Sequence, residues 1–313
     1  MKKIIAMFLI FNLAFLCLGG CVSEKPENPT ETTTEETTEA YTEKETTTVV
    51  ETTTEETTTQ EETTTEKITT TTKKPTTTKK VTTTRKPATT VPVTEMRVPI
   101  DFSDVDCEGI DPDKPMVCLT FDDGPSAYTP ALLDTFKKYG GKGTFFVVGK
   151  KLEGQKLTAQ RIVNEGHEIA SHSWSHPDLK LLSFEKVNNE IAKTHNKIFE
   201  VTGVYPKLIR PPYGAYNNNV KYCAYTCNEA VITWSYDTFD WKTKNADAVY
   251  DAVMNNVRDG LMILCHDIHP TTVEAMERVI PDLIEQGYQL VTVSQMLALR
   301  KDEVIAGGVY FNG

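Results

Sequence analysis

The sequence predicts an α/β fold for residues 99–313, built on a parallel β-sheet that closes or nearly closes into a barrel. Short apolar runs alternate with amphipathic segments about seven times in this region, and such strand–helix alternation is typical of parallel sheets. Candidate polar residues also follow several of the predicted strands directly. Barrel enzymes carry their functional sites at these strand ends, so the same pattern indicates an enzyme.

The predicted elements follow from the spacing of the apolar residues and from the Gly and Pro residues between them. Strands are predicted at residues 116–121, 144–148, 167–170, 208–210, 230–234, 261–265 and 289–293. Helices are predicted at residues 130–139, 158–165, 184–201, 217–226, 246–257 and 271–286, with a last short helix after the seventh strand. Ser183 and Ser294 are the predicted N-caps of the third helix and the last one.

Residues 1–20 have the pattern of a secretory signal peptide. Lys2 and Lys3 precede an apolar stretch at 4–18, and Leu-Gly-Gly-Cys at 18–21 resembles the lipobox of bacterial lipoproteins. The resemblance implies a lipid on Cys21 that anchors the protein to the extracellular face of the bacterial cytoplasmic membrane, from which it reaches into the cell wall. The alternative is an ordinary signal peptide followed by a chance cysteine.

Residues 21–98 are rich in Thr, Glu and Lys, and Tyr41 is their only aromatic residue. A segment of this composition cannot bury enough apolar surface to offset the entropy lost on ordering. We therefore predict a disordered stalk between the anchor and the folded domain.

The chain has 44 acidic and 33 basic residues, which gives a formal net charge of −11. An acidic domain without a basic cluster argues against nucleic acid as a partner. We expect a monomer.

Five cysteines fall in the domain. Cys118 and Cys265 lie within apolar runs and are predicted to be buried. A disulfide among Cys107, Cys223 and Cys227 stays open, because sequence spacing does not assign a pairing.

The first predicted strand ends in two adjacent carboxylates, Asp122 and Asp123. They would repel each other unless a cation or a proton lay between them. His172 and His176 follow the third strand, and on a helical turn their spacing brings both imidazoles to one cation. Two His and one Asp leave positions for water and substrate. The set suits one divalent metal, Zn²⁺ first, with Co²⁺, Ni²⁺ or Fe²⁺ as alternatives.

Only one of the two aspartates is needed as a metal ligand, so the other is available as a general base for water. Arg210, at the end of the fourth strand, would hold that base ionised. His266 follows the sixth strand and would protonate a leaving group, with Asp237 or Asp240 favouring its imidazolium form. Each residue alone also fits a structural role in a turn, an ion pair or the core; their common placement at strand ends favours a site.

Five segments, in order, resemble the motifs of the NodB-type polysaccharide deacetylases, carbohydrate esterase family 4. They are Thr-Phe-Asp-Asp-Gly at 120–124, His-Ser-Trp-Ser-His at 172–176, Arg-Pro-Pro-Tyr-Gly at 210–214, Asp-Thr-Phe-Asp-Trp at 237–241 and Leu-Cys-His at 264–266. The strand–helix pattern over about 110–300 is similar to the distorted (β/α)7 barrel of that family.

The resemblance implies a role for each matching residue. The implied proton-transfer groups and their supports are the base Asp122 with Arg210 and the acid His266 with Asp240. The implied metal ligands are Asp123, His172 and His176. The implied substrate contacts are the Tyr213 backbone N–H on the oxyanion, Trp241 on the groove wall and Leu264 at the acetyl methyl. Asp237 is predicted to be structural, and the role of His269 stays open.

These roles predict the hydrolytic removal of N-acetyl groups from N-acetylglucosamine in a cell-wall glycan, with peptidoglycan as the leading substrate. Chitin oligomers and acetylated xylan are alternative substrates, and a non-catalytic wall-binding lipoprotein is the alternative class of protein. A metalloprotease is disfavoured, because the chain has no His-Glu-x-x-His motif.

Overall fold

The structure is a computed structural model that describes residues 97–313. The predicted signal peptide, the predicted stalk and the predicted lipidation site Cys21 lie outside the described residues. Between residues 97 and 313, none of the helices has the length and apolar character needed to cross a bilayer.

Residues 97–313 contain nine β-strands and eight α-helices. The strands are β1 Met116–Asp122, β2 Thr144–Val147, β3 Glu168–Ser171, β4 Leu208–Ile209, β5 Ala230–Ile232, β6 Tyr236–Asp237, β7 Leu261–His266, β8 Gln289–Leu290 and β9 Val309–Tyr310. The helices are α1 Thr129–Tyr139, α2 Lys156–Asn164, α3 Phe184–Thr202, α4 Asn218–Thr226, α5 Asp240–Thr243, α6 Ala246–Met254, α7 Pro270–Glu285 and α8 Val293–Arg300.

The strands form one parallel sheet in the order β6-β7-β1-β2-β3-β4-β5-β9, with β8 beside the start of β1. The sheet curls into a half-barrel with helices packed on it, which confirms the predicted α/β fold of the (β/α)7 type. Because all the strand pairs are parallel, the carboxyl ends of β1, β3, β4 and β7 lie at the same end of the sheet.

Strand β1 has a different core on each of its faces. Val117, with every second residue up to Phe121, packs in the cluster that contains α1 and α7. Met116 and Cys118 pack on the other face, in the cluster that contains α8. Side chains alternate along a strand, so Asp122 continues the Met116 face. The strand therefore delivers a carboxylate into the interior of the curled sheet.

The predicted strand at 230–234 is wrong at its end, because the chain changes partner there. The Thr233 N–H donates to Tyr310 O at 2.9 Å, next to β9, and the Ser235 N–H donates to Met262 O at 3.0 Å, next to β7. Strands β6 and β9, each two residues long, were not predicted. Runs so short acquire their strand geometry from distant pairing partners, which sequence periodicity does not reveal.

The predicted N-cap Ser294 is also wrong. The N-cap of α8 is Thr292, whose side chain accepts from the Gln295 N–H at 3.1 Å, and Gln295 Oε1 accepts in return from the Thr292 N–H at 2.8 Å. Ser294 instead donates its N–H to the half-buried Glu168 at 3.1 Å. Ser183 occupies the N-cap position of α3, as predicted, but within the described residues its side chain forms no capping hydrogen bond.

All five cysteines of the described region are free. The disulfide left open among Cys107, Cys223 and Cys227 is therefore not formed. Cys118 and Cys265 are completely buried, which confirms their prediction.

Candidate active site

The two adjacent aspartates after β1 separate because the backbone changes conformation between them. Asp122 is the last residue of the strand and is almost completely buried. Asp123 has a left-handed φ of 71°, which turns its side chain away from the strand alternation, and its carbonyl accepts from Lys151 Nζ at 2.7 Å. At Gly124 a Cβ would overlap the Asp267 carboxylate, so this turn requires glycine. The two carboxylates thus have different main partners, Arg210 for Asp122 and His176 for Asp123, although both also lie within 4 Å of His172 Nε2.

Asp123, His172 and His176 come together as a group whose ligand atoms all lie within 4.8 Å of one another. The Asp123 Oδ1 atom lies 3.1 Å from His176 Nε2 and 3.5 Å from His172 Nε2. In His172, the Nδ1 atom lies 2.6 Å from the Arg210 carbonyl, which leaves Nε2 for the group. Burial lowers the pKa of His172 to about 3, so its imidazole is neutral, as a metal ligand must be.

This donor set fits a divalent cation. Asp123 Oδ1 is buried without a hydrogen-bond partner in the described part of the chain, although it faces two imidazole nitrogens. A buried, unsatisfied carboxylate oxygen is costly, and a cation bound between these atoms would remove that cost. Two nitrogens and one oxygen are a ligand set of the kind found with Zn²⁺ and related metals.

The interpretation of residues 172–176 as a helical turn is wrong. These residues form an irregular bend after β3, in which Ser173 and His176 have left-handed φ values of 63° and 62°. The ring centroids of His172 and His176 are still only 5.0 Å apart. The irregular bend therefore brings the two imidazoles together, as the prediction of a helical turn had required, but with a different backbone conformation.

Asp122 forms an ion pair with a fully buried arginine. Arg210 Nη1 donates to Asp122 Oδ1 at 2.7 Å and to Thr120 Oγ1 at 2.8 Å. The guanidinium lies 4.0 Å from the centre of the Phe146 ring and donates from Nη2 to the Thr233 carbonyl at 3.0 Å. Burial raises the pKa of Asp122, although Arg210 opposes the shift. The result is a fixed carboxylate of increased basicity.

His266 forms a second pair with the buried Asp240, at the end of β7. Asp240 Oδ1 lies 2.8 Å from His266 Nδ1, and Asp240 Oδ2 accepts from the His266 N–H at 2.7 Å and from Thr272 Oγ1 at 2.8 Å. Burial disfavours the imidazolium, but the hydrogen bond and charge of Asp240 outweigh it and raise the pKa of His266 to about 9. The pair therefore holds a protonated imidazole at neutral pH.

A cavity of about 400 Å³ joins these groups. It is lined by Asp122, Asp123, His172, His176, Tyr213, Trp234, Asp237, Trp241, Leu264, His266 and His269. Tyr213 and Trp241 are 69% and 47% exposed at its mouth, whereas Leu264 is buried at its wall. A cavity of about 240 Å³ near the opposite strand ends, lined by residues such as His167 and Lys207, contains none of the predicted site residues.

Every predicted site residue within the described region is therefore at the cavity or supports a residue there. Asp237 accepts from the Phe239 N–H at 2.8 Å, which fits the structural role predicted for it, and its side chain also faces the cavity. His269 lies beside His266, with ring centroids 6.1 Å apart. Trp234 was missed as a cavity residue. Its position at the end of the fifth predicted strand could have indicated it, since the other predicted site residues also follow strand ends.

This curled parallel sheet, with Asp and His residues gathered at its strand ends, is the architecture of a class of hydrolases. Similarity to known proteins shows which class it is. Residues 109–230 match the family model "Polysaccharide deacetylase". A peptidoglycan-N-acetylglucosamine deacetylase of Bacillus cereus is 38% identical over 194 residues, which are 60% of this chain and 70% of that protein. The chain belongs to the polysaccharide deacetylase family.

Two further relatives are longer than this chain. The peptidoglycan-N-acetylmuramic acid deacetylase PdaC of Bacillus subtilis is 42% identical over 62% of this chain, and the peptidoglycan-N-acetylglucosamine deacetylase PgdA of Listeria monocytogenes is 41% identical over 63%. In each case the chain spans 41% of the relative's length. The solved structure of PdaC superposes with a TM-score of 0.59 and 42% identity, covering 61% of this chain and 94% of that one.

Proposed function

We propose that this protein is a metal-dependent hydrolase that removes N-acetyl groups from N-acetylglucosamine residues of peptidoglycan and releases acetate. One observation carries the proposal. The Asp122–Arg210 pair and the His266–Asp240 pair open into the same cavity as the Asp123, His172 and His176 group. A base and an acid beside a cation site are the groups that amide hydrolysis requires.

Asp123, His172 and His176 hold the metal, for which we propose Zn²⁺. When bound, it supplies a Lewis acid that polarises the amide carbonyl and acidifies water. Asp122 accepts the proton of the attacking water, and Arg210 fixes its orientation. His266 donates its proton to the departing amine nitrogen, and Asp240 holds the imidazole in position. Reaction at neutral pH requires an ionised Asp122 and a protonated His266.

Tyr213, Trp241 and Leu264 all line the cavity, where we propose that each contacts the substrate. Tyr213 has a left-handed φ of 60° at the mouth of the cavity, where its backbone N–H would donate to the oxyanion. Trp241 exposes an aromatic face for a sugar ring, and Leu264 offers an apolar wall for the acetyl methyl.

The relatives support peptidoglycan as the substrate, because PdaC, PgdA and the Bacillus cereus protein are all named for it. They differ in the sugar. We favour N-acetylglucosamine, the sugar named for the Bacillus cereus relative, of which this chain covers 70%. The predicted lipid anchor at Cys21 and the stalk would present a monomeric domain to the cell wall from the outer face of the membrane.

The test is acetate release by the full chain loaded with Zn²⁺, with and without chelator. Peptidoglycan, chitin oligomers and acetylated xylan are offered in parallel, and the peptidoglycan products are analysed for free glucosamine and free muramic acid. Chelator-sensitive glucosamine formation supports the proposal. Formation of free muramic acid would show that N-acetylmuramic acid, and not N-acetylglucosamine, is the sugar that is deacetylated. Binding to walls without acetate release would indicate a non-catalytic module.

A further inference from the structure

The two histidines of the metal group are held in different ways. His172 follows β3 directly, is buried, and has its ring fixed by the Arg210 carbonyl at 2.6 Å. His176 lies four residues later, its side chain is 27% exposed, and its N–H donates to Ser173 Oγ at 3.0 Å. The position of the His176 ring therefore depends on the conformation of the bend at 172–176.

This bend needs support from the elements around it. Two of its residues, Ser173 and His176, have left-handed φ values, which are unfavourable for residues other than glycine. The carbonyls of Ser173 and Trp174 each accept a backbone N–H at 3.0 Å, from Gly149 and from Lys150. These bonds fix the first half of the bend, away from His176.

Glu190 fixes the second half. Its two carboxylate oxygens accept from the N–H and from the Oγ of Ser175, each at 2.8 Å, so that one side chain binds both donors of the residue before His176. Glu190 lies on α3, which is anchored in the core by Val187, Ile191 and Thr194. A charge-assisted pair of hydrogen bonds from a rigid helix is a strong restraint on one loop residue.

We propose that Glu190 is a positioning residue for the metal site, which holds His176 in the conformation that places Nε2 near Asp123. The inference rests on the proposed function, since it presumes that the group binds a metal. Glu190 touches neither substrate nor metal and acts only through Ser175. Residues that orient metal ligands typically change metal affinity about 10- to 100-fold when they are removed.

The experiment measures Zn²⁺ affinity of the metal-free full chain by competition with a chromophoric chelator, together with the thermal midpoint of each metal-free variant. Glu190→Ala should bind Zn²⁺ about 10-fold more weakly or worse. Glu190→Gln should recover part of the affinity, because its amide can accept from the Ser175 N–H and donate to the Ser175 hydroxyl. Glu200→Ala is the matched control: Glu200 is on the same helix, and its exposed carboxylate binds Lys197. It should not alter the affinity.

The outcomes separate the two proposals. Failure of the wild-type chain to bind Zn²⁺ would reject the proposed metal site itself. Wild-type binding with equal affinity in Glu190→Ala would overturn the role of Glu190 alone, and a lower thermal midpoint with unchanged affinity would show a merely structural role. If Glu190→Ala does not fold, Ser175→Ala decides, because it removes only one of the two donors. It should weaken Zn²⁺ binding by about two- to tenfold, and unchanged affinity would refute the inference.

Discussion

Asp122 and His266 are direct neighbours in the sheet, as the last paired residues of the parallel ladder between β1 and β7. Paired residues of parallel strands point to the same face, so both side chains enter the cavity at one level. The proposed base and acid are thus fixed by backbone hydrogen bonds. The proposed metal ligands instead come from a turn and a bend, where side-chain contacts add to the backbone hydrogen bonds.

Replacing Asp122 with Asn should abolish most of the activity while the metal stays bound. The substitution keeps the shape of the side chain and an oxygen for Arg210, but removes the proton acceptor. We expect kcat to fall by about 10²-fold or more, with unchanged Zn²⁺ stoichiometry. Asp237→Asn changes another carboxylate at the same cavity and should cost much less. Normal turnover in Asp122→Asn would eliminate Asp122 as the base.

Replacing His172 with Ala should remove the metal. The change deletes one of three donors and leaves Asp123 with a single imidazole, so the purified protein should contain far less than one Zn²⁺ per chain by elemental analysis. His269→Ala is the control, because His269 lines the same cavity but lies outside the donor group. Equal metal content in the two variants would contradict the assignment of ligands.

Replacing Asp240 with Asn should lower the pKa of His266. In the wild-type metal-free protein, Asp240 contributes to raising this pKa to about 9, so the imidazolium persists well above neutrality. Without the carboxylate charge, burial would dominate and favour the neutral ring. NMR titration of His266 should show the shift. The alkaline limb of the rate profile should move to lower pH, since activity is lost when the acid loses its proton. An unmoved limb would argue against His266 as the acid.

Replacing Gly124 with Ala should destabilise the domain. A Cβ at this position would overlap the Asp267 carboxylate, which is buried and also accepts from Thr129. We expect the free energy of unfolding to drop by about 1–3 kcal/mol, measured in urea. At Gly154 the nearest atom to an added Cβ is a backbone oxygen 3.9 Å away, so Gly154→Ala should be nearly neutral. Equal effects would show that the turn after β1 tolerates a side chain.

The sequence was most informative where one stretch of chain determines the structure. The apolar run at 116–121 has the length and bounds of a buried strand, and the carboxylates that end it are adjacent in sequence. The polar residues after β3, β4 and β7 were likewise predicted from their position directly after an apolar run. Parallel strands bring their carboxyl ends to one end of a sheet, so correct strands were sufficient to predict which residues would meet.

Prediction failed where the structure depends on distant partners. β9 forms against β5, far away in the chain, and the break after Ile232 occurs because the chain moves from β9 to β7. Ser294 was a reasonable cap by residue type, but Thr292 completes a capping box and Glu168 engages Ser294 instead. Local propensity contains none of this information.

Apolar periodicity and adjacency in the chain were sufficient to predict the fold class and the identity of the polar groups that gather at the carboxyl ends of the strands. How these groups are held depends on the folded structure: the left-handed turn at Asp123, the irregular bend that brings His176 to Asp123, and the support of that bend by Glu190. These features result from contacts between elements that are remote in sequence, and such contacts exist only once the chain has folded.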